Sequence, residues 1–200
     1  MSGAGARETE TPATAAVIAD ALRQAGAEEA LLAWLLAQGD LESAIATCPR
    51  GDWLLRIALA AGTDRMALVR AACACARFAG AYLTEADEAR ASAAVSAAEA
   101  AADHDGEDGR GLAAREAELV QALDEREDPA ARAALISALA AVRAVRDAAE
   151  APRSSTAAIE ATVADAGDCA VEAALAYAER STAERVRRAL GWASKDSGRR

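Results

Sequence analysis

The chain has 200 residues, 22 of them basic and 32 acidic, which gives a net charge of −10 at pH 7 and a pI near 4.7. This acidity excludes nucleic acid as the expected main partner, because neutralising phosphates requires a basic surface. Alanine accounts for 62 residues, and since alanine has the highest helix propensity of any residue, the composition favours helices over strands.

The first half of the chain predicts six helices after a polar, disordered tail at residues 1–12. The fourth of them is expected to cover 53–61, the fifth to run from 64 to about 83, and the sixth to end near 102. Each helix is bounded by a residue that ends or caps a helix. These boundary residues are Gly26, Gly39, Asp40, Asp52, Gly62, Asp64 and Thr84.

The second half predicts an acidic loop followed by four more helices. The loop covers 103–111, where three glycines and four acidic residues among nine positions oppose helix formation. The eighth helix is predicted to start at Asp128 and Pro129 and to end at Pro152. The ninth is predicted to start at Ser154 or Ser155, and a capping box from Ser181 to Glu184 precedes the last helix. Residues 194–200 predict a disordered basic tail.

These elements predict an all-α protein with a single domain over 13–193, built as a compact multi-helix bundle or an array of antiparallel helical hairpins. No apolar window approaches the roughly 18 residues of a membrane span. The polar start of the chain does not match a secretory signal. We therefore expect a cytoplasmic protein without membrane contact, whose four cysteines are reduced and mostly buried.

Catalytic and metal-binding patterns are missing from the sequence. A catalytic triad would have to use His104, the one histidine, which lies in the predicted loop. An EF-hand in that loop would need Gly and Glu where Asp108 and Ala114 stand. Cys73 and Cys75 are two residues apart on a predicted helix, so they point to nearly opposite sides and cannot share one ion. The sequence predicts no enzyme, no metal and no cofactor.

Polar residues at the predicted helix ends are the candidates for a binding site. Two interpretations of them remain open: the aspartates cap helices and an arginine clamps a turn, or the same residues form a polar patch that binds a partner. Tryptophan and arginine are common anchors of protein interfaces. The candidate residues are Trp34, Arg50, Asp52, Trp53, Asp64, Arg65 and Arg77.

Four short motifs carry a family resemblance. They are Trp34-Leu-Leu-Ala-Gln-Gly-Asp40, Cys48-Pro-Arg-Gly-Asp-Trp-Leu-Leu55, Thr63-Asp-Arg65 and Ala71-Ala-Cys-Ala-Cys-Ala-Arg77. Together they resemble the class-five immunity proteins of bacterial polymorphic toxin systems, over about residues 28–79. The resemblance implies an all-helical protein that binds a cognate toxin inside the producing cell and blocks it.

Two functions of different classes follow. The first is an immunity-type binding protein that neutralises a toxin domain by stoichiometric protein–protein interaction, for which an acidic surface would suit a basic partner. The alternative is a helical structural or adaptor protein of a larger bacterial assembly, for which a second copy of the chain is a candidate partner.

Overall fold

The structure is a computed structural model that describes residues 14–103, 109–166 and 170–192. The predicted tails at 1–12 and 194–200 lie outside the described residues, as do His104, Cys169 and the central part of the predicted acidic loop. The bounds of the elements and the contacts among them are therefore given for these three ranges.

The described ranges contain ten α-helices and no strand, which confirms the all-α prediction. A short 3₁₀ turn follows α5 at Gly80–Tyr82, and another precedes α9 at Ala148–Glu150. The helices are α1 (Ala15–Gln24), α2 (Glu29–Ala37), α3 (Leu41–Thr47), α4 (Gly51–Ala60), α5 (Arg65–Ala79), α6 (Glu85–Asp103), α7 (Gly109–Asp124), α8 (Pro129–Ala144), α9 (Ala151–Ala166) and α10 (Val171–Ala189).

Aspartate caps define three of these helix starts, as the sequence predicts. Asp40 accepts a hydrogen bond from the backbone N–H of Ser43 at 2.7 Å, at the start of α3. Asp64 and Asp128 accept equivalent bonds at the starts of α5 and α8, at 3.0 and 2.8 Å. Each bond satisfies one of the backbone donors that a helix leaves unpaired in its first turn.

Two predicted helix starts are wrong. Helix α4 begins at Gly51, so Asp52 lies inside its first turn, and the position before the helix is Arg50, which makes no capping bond with its side chain. The Asp52 carboxylate is instead engaged by Arg50. Residues 109–111 belong to α7 and not to the predicted loop, because two glycines in a first turn are tolerated when the rest of the helix packs.

Two further predictions fail in the last third of the chain. Pro152 does not end α8, which stops at Ala144; it is the second residue of α9, where its missing N–H would have no helical partner in any case. Helix α10 continues through the predicted capping box at Ser181. The Thr182 hydroxyl there donates to the Ala178 carbonyl one turn back, so it contributes to the helix interior.

Helices α5, α8 and α9 form the centre, α4, α6, α7 and α10 pack against them, and α1 packs against α4 and α2. Twelve of the sixteen residues of α8 are buried, and most are alanine, so neighbouring backbones approach it on several sides. The Ser137 hydroxyl donates to the Ser154 carbonyl at 2.8 Å, and the Ser154 hydroxyl donates to the Ala72 carbonyl at 2.9 Å. Because helices distant in sequence contact one another, the architecture is a bundle and not a linear array of hairpins.

One hydrophobic core includes residues from all ten helices, from Ala15 to Val186. No helix within the described ranges is both long enough and apolar enough to cross a lipid bilayer.

Candidate protein-binding surface

Arg50 lies in the connection between α3 and α4, directly before the first residue of α4. Its Nε and Nη2 atoms donate to the two carboxylate oxygens of Asp52 at 3.1 and 2.7 Å. Asp52 is only 2% exposed, while the Arg50 side chain is 29% exposed. A buried carboxylate thus fixes the guanidinium group through two parallel bonds and leaves its outer edge at the surface.

The same guanidinium group also lies near carboxylates from two other parts of the chain. Nη2 of Arg50 lies 3.6 Å from Glu28, just before α2, and Nε lies 4.0 Å from Glu179 of α10. Burial lowers the pKa of Arg50, but the bonds to Asp52 and the nearby glutamates outweigh that effect, so its pKa is raised above the ordinary arginine value. Arg50 is therefore a permanent cation held between three carboxylates.

Two tryptophans complete the arrangement. The guanidinium carbon of Arg50 lies 4.7 Å from the centre of the Trp53 ring, in cation–π geometry. The Trp34 ring is 5.6 Å from the Trp53 ring at an interplanar angle of 46°. Trp53 is 8% exposed and its indole N–H donates to Glu28, whereas Trp34 is partly exposed. We call Glu28, Trp34, Arg50, Trp53 and Glu179 the tryptophan–arginine cluster.

Contacts from the end of the chain hold this region in place, and sequence reasoning missed them. Arg187 of α10 donates to the backbone carbonyls of Ile45, at 2.8 Å, and Cys48, near the end of α3. A Cβ atom on Gly51 would lie 2.6 Å from the Ser155 hydroxyl and 2.8 Å from the backbone of Thr182. Gly51 therefore permits the start of α4 to lie directly against α9 and α10. In the sequence, only the glycine at position 51 pointed to this close approach of helices.

The structure brings together four of the seven predicted candidates, Trp34, Arg50, Asp52 and Trp53. The other three lie elsewhere. Asp64 and Arg65 follow the opposite end of α4, where Asp64 is a cap. Arg77 of α5 donates to Glu99 of α6 at 2.9 and 2.6 Å and to Ser96 at 3.1 Å. Among the described residues, none of these three makes a hydrogen bond, ion pair or ring contact with the cluster.

Two of the buried cysteines, Cys73 and Cys75, are close in sequence but have different surroundings. Cys73 lies against the Val95 carbonyl of α6, whereas Cys75 lies near Ser155 of α9, so the two thiols face different helices as predicted. Burial raises the pKa of Cys48 to about 11 and that of Cys75 to about 12. Within the described ranges no three histidine, cysteine or acidic side chains are grouped so that they could hold a metal ion.

No protein-family model, curated protein or solved structure matches the chain. The resemblance of residues 28–79 to immunity proteins therefore stays a prediction.

Proposed function

We propose that the protein is an immunity-type protein that binds a cognate bacterial toxin domain and neutralises it by stoichiometric protein–protein interaction. The observation that carries this proposal is the tryptophan–arginine cluster, in which the partly exposed Trp34 and Arg50 both pack against the buried Trp53. Tryptophan and arginine dominate the binding energy of protein interfaces when they are preorganised and become desolvated.

Preorganisation is the feature of this cluster that favours binding. Arg50 is held by the buried Asp52, so little side-chain entropy remains to be lost when a partner covers it. Trp34 packs on Trp53 and keeps part of its own ring exposed. The carboxylates of Glu28 and Glu179 at the edge, together with the net charge of −10, favour a partner with a basic surface.

The resemblance supports a toxin as that partner. The motif residues Trp34, Arg50 and Trp53 are the ones that the fold assembles into the cluster. They come from two motifs that lie on different elements, α2 and the start of α4. A shared surface is a reason for the two motifs to occur together.

The test is co-expression of the chain with toxin-like genes encoded beside it, with growth protection and complex formation as readouts. Trp34→Ala removes an exposed part of the cluster without breaking the Arg50–Asp52 pair. Tyr177→Ala is the matched control, since Tyr177 is an aromatic residue of α10 that is 52% exposed outside the cluster. We expect one toxin domain to bind at a 1:1 ratio, with affinity lowered at least tenfold by Trp34→Ala and unchanged by Tyr177→Ala.

Two results would contradict the proposal in different ways. If Trp34→Ala protects and binds as well as the wild type, the toxin contacts another surface. If no neighbouring toxin-like protein is bound or neutralised by the wild type, the immunity function itself is wrong.

A structural or adaptor role is the second candidate, and α10 contains the observation that favours it. Val171 and Leu175, one turn apart at its start, are 38% and 39% exposed although they lie on the same side of the helix as the buried Ala178. Light scattering of the purified chain separates the candidates. A large obligate assembly in the absence of any toxin would favour the adaptor role.

A further inference from the structure

A cleft opens between α1, α4 and the turn that leads into α9. Its volume is about 190 Å³, which is below the roughly 300–1,000 Å³ of sites for drug-sized ligands. Its walls are apolar except for Arg56 of α4; the largest wall residues are Leu22, Leu59 and Pro152. The cleft therefore has the size and lining of a site for a small ligand with a hydrocarbon body.

Arg56 is exceptional among the partly buried arginines. Its Nε atom is buried and has no hydrogen-bond partner among the described residues, and no carboxylate there forms an ion pair with it. By contrast, the partly buried Arg50 and Arg143 bond to acidic side chains, and Arg185 and Arg187 donate to backbone carbonyls. Buried polar groups in folded proteins nearly always have a partner, so this donor is left without an acceptor among the described residues.

Neighbouring acidic groups do not supply that acceptor. Asp20 of α1, beside the cleft, pairs with Arg23. Glu150, which follows a residue of the cleft wall, lines a different cleft and lies 3.9 Å from Arg153. Asp52, one turn before Arg56 on α4, is bonded to Arg50, so none of these three carboxylates forms an ion pair with Arg56.

We propose that this cleft binds a small monocarboxylate with a short apolar body. The planar guanidinium group matches the two oxygens of a carboxylate, and the apolar walls accept the hydrocarbon part. No residue of the tryptophan–arginine cluster lines the cleft, and this proposal does not depend on the proposed function. The proposal gives a function to Arg56, the one charged residue in the second turn of α4.

Hexanoate is the probe, and the full chain is titrated by calorimetry and by amide NMR. We expect saturable 1:1 binding with shift changes at α1 and α4. Arg56→Gln should lower the affinity for hexanoate at least tenfold and leave the weak binding of 1-hexanol unchanged. Arg23→Gln removes the same charge from the neighbouring surface and should leave the affinity for hexanoate within twofold.

A second variant keeps the proposal testable if Arg56→Gln does not fold. Ala60→Leu fills the cleft while Arg56 remains, so it should abolish binding of both hexanoate and 1-hexanol. The proposal is overturned if the wild type shows no saturable binding of hexanoate up to ~10 mM. It is also overturned if the folded Arg56→Gln and Arg23→Gln variants lose affinity equally, since a general charge effect would then explain the result.

Discussion

At the scale of single residues, the start of α4 depends on contacts with the far end of the chain. Gly51 touches Ser155 and Thr182, and Arg187 binds the carbonyls that end α3. None of these partners lies within one hundred residues of the site they contact. The local sequence therefore shows which residues are unusual, and the fold shows why.

Gly51→Ala tests the close approach of α4 to α10. The added Cβ would lie 2.8 Å from backbone and side-chain atoms of Thr182, so the helices must separate. We expect a loss of about 1–3 kcal/mol in the free energy of unfolding, measured by urea denaturation. Gly80→Ala is the matched control, because no atom lies within 4 Å of its added Cβ. An equal loss in both variants would contradict the packing explanation.

Trp53→Ala tests how far the cluster contributes to the core. Trp53 is 8% exposed and packs against Trp34, so its removal should lower the free energy of unfolding by about 3–5 kcal/mol. Trp53→Phe keeps most of the apolar contact and loses the bond to Glu28, and we expect a smaller loss of about 1 kcal/mol. Chemical denaturation monitored by circular dichroism distinguishes the two values. Similar losses for both variants would mean that the hydrogen bond dominates.

At the scale of elements, the first turn of α6 is tied to the connection between α7 and α8 by one buried carboxylate. Asp87 is fully buried and accepts hydrogen bonds from Thr84 at 3.0 Å and Arg126 at 2.6 Å. Arg90 lies 3.4 Å from it. Burial raises the pKa of Asp87, but these donors outweigh it, so the pKa is lowered below its usual 3.8.

The pH dependence of stability should reveal this link. Because the pKa of Asp87 is lower in the folded state, its contribution is complete above the usual aspartate pKa and is lost as pH falls through the folded pKa. Asp87→Asn should cost about 2 kcal/mol at pH 7, less than the ~3–5 kcal/mol of a fully buried pair because Arg126 is partly exposed. Urea denaturation from pH 7 to pH 2 should show the difference from the wild type shrinking below the usual pKa.

The control is Asp165→Asn, which changes an exposed aspartate of α9. Its effect on the free energy of unfolding should be small at every pH. A loss in Asp87→Asn that stays constant down to pH 2 would show that packing of the side chain, and not its charge, stabilises α6.

At the scale of the whole molecule, one core connects all ten helices, so the buried thiols should react only when the bundle unfolds. Cys48, Cys73 and Cys75 are fully buried and their pKa values are raised by burial. In a Cys169→Ser background, we expect labelling by a disulfide reagent at pH 8 to be as slow as global unfolding. One thiol that reacts without denaturant at the rate of a free peptide thiol would contradict this.

The sequence alone determined the class of fold and most of the helix boundaries. Helix propensity is local, and a cap such as Asp40 or Asp128 bonds to a backbone N–H three residues away. Such signals need no tertiary context. The prediction that Pro152 ends α8 was wrong because proline occurs both after the end of a helix and in the first turn of one. Only packing distinguishes the two positions.

Only the tertiary structure decided which candidates form a surface. Arg50 lies beside Glu28 and Glu179 because α10 packs against α4 and Glu28, before α2, bonds to Trp53, and no spacing in the chain encodes these contacts. The fold also pairs Arg77 with Glu99 and leaves Arg56 without a partner among the described residues. Side-chain partners depend on distances between helices remote in sequence, whereas helix formation depends on neighbours along the chain.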